Sequence, residues 1–232
     1  MKAYNQLHEM LVMVARALGE DLLKEVVFLG GCTTGLLLTD KVSKEAVRYT
    51  NDVDLITHVI GYPGWINFQT QIKARGFKES MEDNIACRMR LEGLIVDFMP
   101  DDEDILGFSN RWYTAALDKA TNHKLTDDIT IQLISPVFFV ATKLEAYKGR
   151  GNNDPLQSND MEDILNVFDG RQELINEIKQ APEEIRNYIS EEFTKLLEEP
   201  NFDYAVQNTA QGQSDREELI FKRIKSVIKY KS

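Results

Sequence analysis

Apolar and polar residues follow a helical period at the start of the chain and a strand-like pattern soon after it. Apolar residues recur every three or four positions, as on one face of an amphipathic helix; they are Leu7, Leu11, Val14, Leu18 and Leu22. This spacing predicts a helix over residues 3–24. The short apolar run from Val26 to Leu29 ends at Gly30 and Gly31, which is typical of a buried strand that leads into a tight turn.

Two helices and a second strand are predicted in the next part of the chain. Residues 33–39 have the pattern of a short helix. Residues 52–56 alternate acidic and apolar side chains, as expected for a strand with one solvated face. Pro63 begins a further helix and Gly76 ends it.

A hairpin follows, and then the pattern changes. Residues 85–91 and 94–99 are predicted to pair through a tight turn at Glu92–Gly93. A polar run occupies residues 101–104, and a further short strand is predicted around residues 130–134. This order of elements predicts an α+β fold, in which helices cover a small mixed sheet.

The remainder of the chain is predicted to be helical. Ser135 is a capping residue and Pro136 suits the first helical position, so we expect a helix that begins there and runs to about Lys148. The Gly- and Asn-rich residues 149–155 predict a flexible loop. Further helices are predicted at residues 159–168, 171–180, 182–198 and 214–229.

Length and composition narrow the class of protein. The 232 residues suffice for a core over residues 1–134, with its N-terminal helix, and a helical C-terminal region over residues 135–232. No apolar run approaches the roughly 20 residues that cross a bilayer, so no membrane is expected. Two cysteines are too few for a disulfide framework, which favours a reducing, cytoplasmic location. The net charge of −11 argues against a protein that coats nucleic acid.

Three acidic residues in apolar strands are the main candidates for chemistry. Because side chains alternate along a strand, Asp52 and Asp54 should point to the same side of the sheet. Two such carboxylates can hold Mg²⁺, a hard ion that prefers oxygen ligands. Asp97, between Val96 and Phe98, would add a third carboxylate that bridges a second metal ion or accepts a proton.

These residues resemble the signature of the polymerase-β-like nucleotidyltransferase superfamily. That signature consists of an apolar strand, a Gly-Gly or Gly-Ser pair, and then Asp-x-Asp. The chain is more closely similar to the AbiEii/MenT group of toxin-type nucleotidyltransferases. That group has an Arg-x-(Ser/Thr)-x pattern before Asp-x-Asp, here residues 48–51. A later helix in the group carries a Lys, here Lys143, followed by an Asp-x-x-Asp-(Leu/Ile) segment, here Asp160 to Ile164. The resemblance spans roughly residues 26–168.

The resemblance implies a polymerase-β-like core that moves a nucleoside monophosphate from an NTP to a hydroxyl acceptor. Asp52 and Asp54 would bind two Mg²⁺ ions, with Mn²⁺ as a possible replacement, and Asp97 would complete the metal site or activate the acceptor. Lys143 would neutralise the β- and γ-phosphates. The nucleotide-binding residues that it implies are Gly30, Gly31, Thr50, Lys143 and Asp160. Bare backbone amides at the Gly-Gly turn suit an anionic triphosphate.

The resemblance also implies an acceptor and a partner. The acceptor would be the 3′ end of tRNA, and the chain would be the toxin of a pair whose small antitoxin protein binds it. Two alternatives remain open. The same fold could modify a small molecule such as an aminoglycoside, or a protein side chain. Alternatively, the chain could be a non-catalytic nucleotide-binding regulatory module.

Several single residues have a structural interpretation beside the functional one. Lys143 could extend along an apolar surface to reach water. Asp160 could serve only to stabilise the start of a helix, through its favourable interaction with the helix dipole. Thr50 either caps the start of a strand or contacts phosphate. Arg88 and Arg90 share one face of a strand and bind either substrate phosphate or surface acids.

Two further basic features remain open. In the AbiEii/MenT group, an Arg often precedes the first Asp of the Asp-x-x-Asp-(Leu/Ile) segment. This chain has Asn159 at that position. Arg150 is the candidate to replace that Arg. The basic stretch from Lys222 to Lys231 is interpreted as a solvated helix face, with an RNA-contacting tail as the alternative.

Overall fold

The computed structural model describes residues 2–81, 83, 85–151 and 154–228 and has an α+β fold. The chain forms two compact units. The sheet unit comprises Met1–Thr33 and Arg48–Ser135, and the helical unit comprises Thr34–Val47 and Pro136–Ser232. Among the described helices, none is both long and apolar enough to cross a membrane.

The described residues of the sheet unit form a mixed sheet of six strands in the order β3-β4-β2-β1-β6-β5. The strands are β1 (Val26–Leu29), β2 (Asp52–Thr57), β3 (Arg88–Leu91), β4 (Leu94–Pro100), β5 (Thr121–Lys124) and β6 (Thr130–Leu133). Strand β2 runs parallel to β4 and antiparallel to β1, and β1 runs parallel to β6. The β3–β4 and β5–β6 pairs are antiparallel. The expected mixed sheet is therefore confirmed.

The helices in the first part of the chain are α1 (Lys2–Leu22), α2 (Thr34–Leu37), α3 (Lys41–Glu45), α4 (Gly61–Ala74), α5 (Glu103–Leu106) and α6 (Tyr113–Asp118). Helix α1 buries the apolar residues whose spacing predicted it. It has a kink at Gly19, where φ is 72°. Helix α4 begins two residues before the expected Pro63. Within residues 33–39, the α-helix is limited to the four residues of α2.

The sheet is held by apolar side chains that alternate with the acidic ones. In β4, Val96 and Phe98 are fully buried, while Asp97 points to the opposite face. Phe98 makes edge-to-face contacts with Phe68 and Phe77, at centroid distances of 5.6 and 5.2 Å. This packing fixes which face of β4 is apolar, and therefore which face carries Asp97.

Three parts of the sheet unit differ from the expectations. Strand β3 begins only at Arg88, because the preceding two residues form a turn. The polar run 101–104 leads into α5, which Asp102 caps at its start and Gly107 ends in a left-handed conformation. Strand β5 was not predicted, because most of its residues are polar and exposed and so show no apolar alternation.

The helical unit contains the helices that follow β6 in the described part of the chain. They are α7 (Pro136–Arg150), α8 (Asn159–Gly170), α9 (Leu174–Gln180), α10 (Glu183–Leu196), α11 (Phe202–Thr209) and α12 (Ser214–Ile228). The loop predicted at 149–155 begins later than expected, since Gly149 and Arg150 belong to the last turn of α7. Residues 152 and 153 of that loop lie outside the described residues. The same holds for 229–231 of the basic C-terminal stretch, whose earlier part belongs to α12.

The segment Thr34–Val47 belongs to the helical unit because the end of α8 binds it. The carbonyl oxygen of Gly170 accepts hydrogen bonds from the backbone N–H groups of Thr39 and Asp40, both at 2.9 Å. Arg216 donates to the Ser43 hydroxyl at 2.6 Å and also pairs with Asp169. The hydrogen bonds from Thr39 and Asp40 satisfy the carbonyl group of the last residue of α8, which has no partner within the helix.

Candidate metal centre

Three carboxylates meet on one face of the sheet. Asp52 and Asp54 lie two residues apart on β2, so their side chains point the same way. Asp97 lies directly opposite Asp54 in the parallel β2–β4 pair. Each of the three residues offers a carboxylate oxygen, and these oxygens all lie within 4.8 Å of one another. The structure thus brings together the three acidic residues that the sequence singled out.

Gly30 lies against one of these carboxylates. Its φ is 78°, a backbone conformation that L side chains rarely adopt. A Cβ atom on this residue would lie 1.8 Å from Oδ2 of Asp54. The next residue, Gly31, is buried and begins a short 3-10 turn. Gly30 is therefore required by the close approach of Asp54, a steric reason that the sequence did not reveal.

The hydroxyl group of Thr33 stabilises the same turn, and that of Thr50 contacts the acidic cluster. Thr33 donates to the carbonyl oxygen of Gly30 through its N–H at 3.1 Å and its hydroxyl at 2.9 Å. Thr50, just before β2, donates its hydroxyl hydrogen to Oδ1 of Asp52. In this structure Thr50 orients a candidate ligand, and its expected contact with phosphate stays a prediction.

Arg88 binds Asp97 through two parallel hydrogen bonds. Nε donates to Oδ1 at 2.8 Å and Nη2 donates to Oδ2 at 2.7 Å. The hydrogen bond with Asp97 raises the pKa of Arg88 above its ordinary value. Arg90, two residues along β3, makes the equivalent pair with Asp83 at 2.8 Å for both bonds. Arg90 thus pairs with an acid outside the cluster, whereas Arg88 pairs with a member of it.

The donor set suits a hard divalent cation. Three carboxylates supply only oxygen ligands, which Mg²⁺ and Mn²⁺ prefer. Burial, followed by the negative charge of Asp97 and Asp54, raises the pKa of the nearby Cys87 thiol to about 12. Among the described residues, Cys87 is not one of the side chains that converge on this cluster. The residues present fit Mg²⁺.

A second ionic cluster lies in the helical unit, around Lys143 of α7. Its Nζ lies 2.9 Å from Oδ1 of Asp160 and 2.8 Å from Oδ2 of Asp163, both on α8. The Lys143 side chain is only 8% exposed. Desolvation opposes its charge, but the two carboxylates outweigh that effect and raise the pKa of Lys143. The interpretation of Lys143 as a side chain that reaches out to water is therefore wrong.

Arg150 completes the Lys143 cluster. Its Nε and Nη2 donate to the two oxygens of Asp160 at 2.8 and 2.9 Å. Burial opposes ionisation of Asp160, but Arg150 and Lys143 lower its pKa to about 2. The start of α8 is capped by Ser158, which accepts a hydrogen bond from the N–H of Met161. Asp160 therefore binds the two cations, and Ser158 provides the cap.

The sequence reasoning missed some members of both clusters. It left the partner of Arg88 open, although the tight turn between β3 and β4 places Arg88 opposite Asp97. It did not foresee that Thr34 donates a hydrogen bond to Asp163 at 3.2 Å. No signal close in sequence links Thr34 to Asp163, because 129 positions separate them.

The chain matches no protein-family model, and a search among curated proteins finds no significant match. Three observations bear on function: the three carboxylates that converge, the glycine that lies against one of them, and the arginine that binds another.

We expect Gly30→Ala to displace Asp54 and weaken divalent cation binding. Gly76→Ala is the matched control, because Gly76 also has a positive φ, of 94°, but open space around its Cβ position. Left-handed strain alone should cost Gly76→Ala about 1–2 kcal/mol of unfolding free energy, and the steric clash should cost Gly30→Ala about 1–3 kcal/mol more. Urea unfolding and Mn²⁺ titration measure the two effects. Equal losses in both variants would contradict the proposed clash.

We expect Lys143→Met to destabilise the protein strongly, because it leaves Asp160 and Asp163 buried without their shared cation. Breaking a buried ion pair in this way costs about 3–5 kcal/mol. Lys124→Met is the control, since Lys124 and Asp127 form an exposed pair that should contribute less than about 1 kcal/mol. Chemical denaturation of both variants provides the comparison. A Lys143→Met variant as stable as the wild type would show that the cluster does not contribute to stability.

Proposed function

We propose that this protein is a metal-dependent nucleotidyltransferase with a polymerase-β-like core. The single observation that carries the proposal is the convergence of Asp52, Asp54 and Asp97 on one face of a mixed sheet. The Gly30–Gly31 turn beside Asp54 supports it, because a turn with bare backbone amides suits a triphosphate.

The proposed reaction is attack by an acceptor hydroxyl on the α-phosphorus of an NTP. The bond from the acceptor oxygen to phosphorus forms, the bond to the β-phosphate oxygen breaks, and pyrophosphate leaves with its electron pair. Bound Mg²⁺ would supply charge neutralisation on the phosphates. Asp52 and Asp54 would hold the first ion, while Asp97 would help hold a second or accept the acceptor proton. Thr50 would keep Asp52 oriented through its hydrogen bond.

Lys143 has a separate role in the proposal. We assign it to the β- and γ-phosphates, where a permanent positive charge would stabilise the departing pyrophosphate. This assignment follows from the resemblance to AbiEii/MenT nucleotidyltransferases, and in the structure the ammonium of Lys143 is charged and bound by Asp160 and Asp163. Arg150 would act with Lys143 by fixing Asp160 in place.

The acceptor is proposed in two forms. A tRNA 3′ end, with the chain as a toxin bound by a cognate antitoxin, follows from the resemblance to AbiEii/MenT nucleotidyltransferases. A cationic small molecule, such as an aminoglycoside, is the second candidate, because the chain has a net charge of −11. An acidic protein attracts a cationic acceptor and repels a polyanion at long range. The two acceptors therefore differ in how their binding should depend on salt.

The test is transfer of label from each α-³²P-labelled NTP, with Mg²⁺, to bacterial tRNA or to an aminoglycoside panel. We expect label on one acceptor class. The rate of transfer should fall about 100-fold or more in Asp52→Asn, because this variant loses a ligand of the metal ion that stabilises the charge of the transition state. Asp127→Asn is the control, because Asp127 is fully exposed and pairs only with Lys124 in the described contacts. It should retain wild-type activity.

Two results would contradict the assignment. Full transferase activity in Asp52→Asn would show that Asp52 does not hold the catalytic metal. If the protein binds NTP but transfers label neither to an added acceptor nor to itself, the result would favour the non-catalytic regulatory module. Label on the protein itself would identify a protein side chain as the acceptor.

A further inference from the structure

We propose that Arg88 competes with the divalent cation for Asp97, so that the guanidinium serves as a built-in counter-ion in the metal-free protein. The inference rests on the proposed metal centre and adds a positioning residue to it. Arg88 would lower the affinity of the site for the free metal ion and keep the three carboxylates together until metal arrives.

The hydrogen-bond geometry is the first support. The guanidinium of Arg88 binds both oxygens of Asp97, at 2.8 and 2.7 Å. An ionised carboxylate offers about four lone-pair positions in all, and the parallel pair uses the two on the side that faces the arginine. A cation at Asp97 must therefore either use the remaining lone pairs or displace one of these hydrogen bonds.

The local charge is the second support. Three carboxylates whose oxygens lie within 4.8 Å of one another repel each other strongly. Arg88 supplies one positive charge to that group, and its side chain is 19% exposed while that of Asp97 is 11% exposed. Solvent therefore screens this charge only partly. A metal ion bound to Asp97 would experience repulsion from the guanidinium at short range.

Arg90 provides a natural comparison within the same strand. It lies on the same face of β3 as Arg88 and makes the same two-bonded contact with a carboxylate, that of Asp83. Asp83 is not a member of the acidic cluster. If the arginines of β3 only stabilised the fold through their carboxylate partners, replacing either of them would have a similar effect on the affinity for metal.

The test measures the affinity for Mn²⁺ alone, without nucleotide, by electron paramagnetic resonance of the free ion. We compare the wild type, Arg88→Gln, Arg90→Gln and Asp52→Asn, each checked for native circular dichroism. We expect Arg88→Gln to bind Mn²⁺ about tenfold more tightly than the wild type, because a nearby positive charge is gone. Arg90→Gln should remain within about twofold, and Asp52→Asn should bind more weakly.

The outcomes separate this inference from the proposed function. If the wild type binds Mn²⁺ and Arg88→Gln binds it equally or more weakly, competition is wrong and the metal centre stands. If the wild type does not bind Mn²⁺, or Asp52→Asn binds as the wild type does, the metal centre itself is wrong and the inference falls with it.

A second measurement needs no variant, and decides the question if Arg88→Gln does not fold. Titration of the ¹⁵N-labelled wild type with Mg²⁺ should shift the Nε–H resonance of Arg88 as its bond to Oδ1 of Asp97 weakens. The Nε–H resonance of Arg90 should stay in place, because Asp83 keeps its partner. Saturation with Mg²⁺ that leaves the Arg88 resonance unchanged would overturn the proposal.

Discussion

The close approach of three carboxylates on one face of the sheet is the constraint around which the candidate site is built. Asp52, Asp54 and Asp97 place carboxylate oxygens within 4.8 Å of one another, a separation at which unscreened charges repel strongly. The parallel pairing of β2 with β4 enforces this proximity, because it sets Asp54 directly opposite Asp97. The fold therefore holds like charges close together, and the guanidinium of Arg88, which binds Asp97, offsets part of their repulsion.

The opposite face of the same strands provides the compensating stability. Val53 and Leu55 on β2, and Val96 and Phe98 on β4, are fully buried and alternate with the acidic residues. A slip of one residue in the register would bury carboxylates and expose these apolar side chains, so the register is strongly determined. In the helical unit, the ammonium group of Lys143 likewise lies between two buried carboxylates, those of Asp160 and Asp163.

Much of this arrangement was predictable from local pattern. The alternation of acidic and apolar residues over 52–56 predicted β2 and the shared direction of Asp52 and Asp54. The apolar neighbours of Asp97 predicted β4. The Arg88–Asp97 pair was also within reach, because a two-residue turn at Glu92–Gly93 fixes which residues of the hairpin face each other.

Other features depended on contacts between distant parts of the chain. The packing of Gly30 against Asp54 follows from how β1 lies beside β2, which no short pattern reveals. The bond from Thr34 to Asp163 likewise joins segments far apart in sequence. Strand β5 lacked a signal because its side chains are mostly exposed and polar, and pairing with β6 alone defines it. Arg150 was expected only as a candidate for the role of a missing arginine, and its contact with Asp160 was not predicted.

The central claim is that the three carboxylates hold a divalent cation, and a crystal grown with Mn²⁺ tests it most directly. Anomalous scattering at the manganese absorption edge locates the ion independently of any assumption about activity. We expect a peak about 2.0–2.3 Å from carboxylate oxygens of Asp52 and Asp54, the usual range for a hard divalent ion of this size. A Mn²⁺-saturated crystal with no peak beside these residues would contradict the claim.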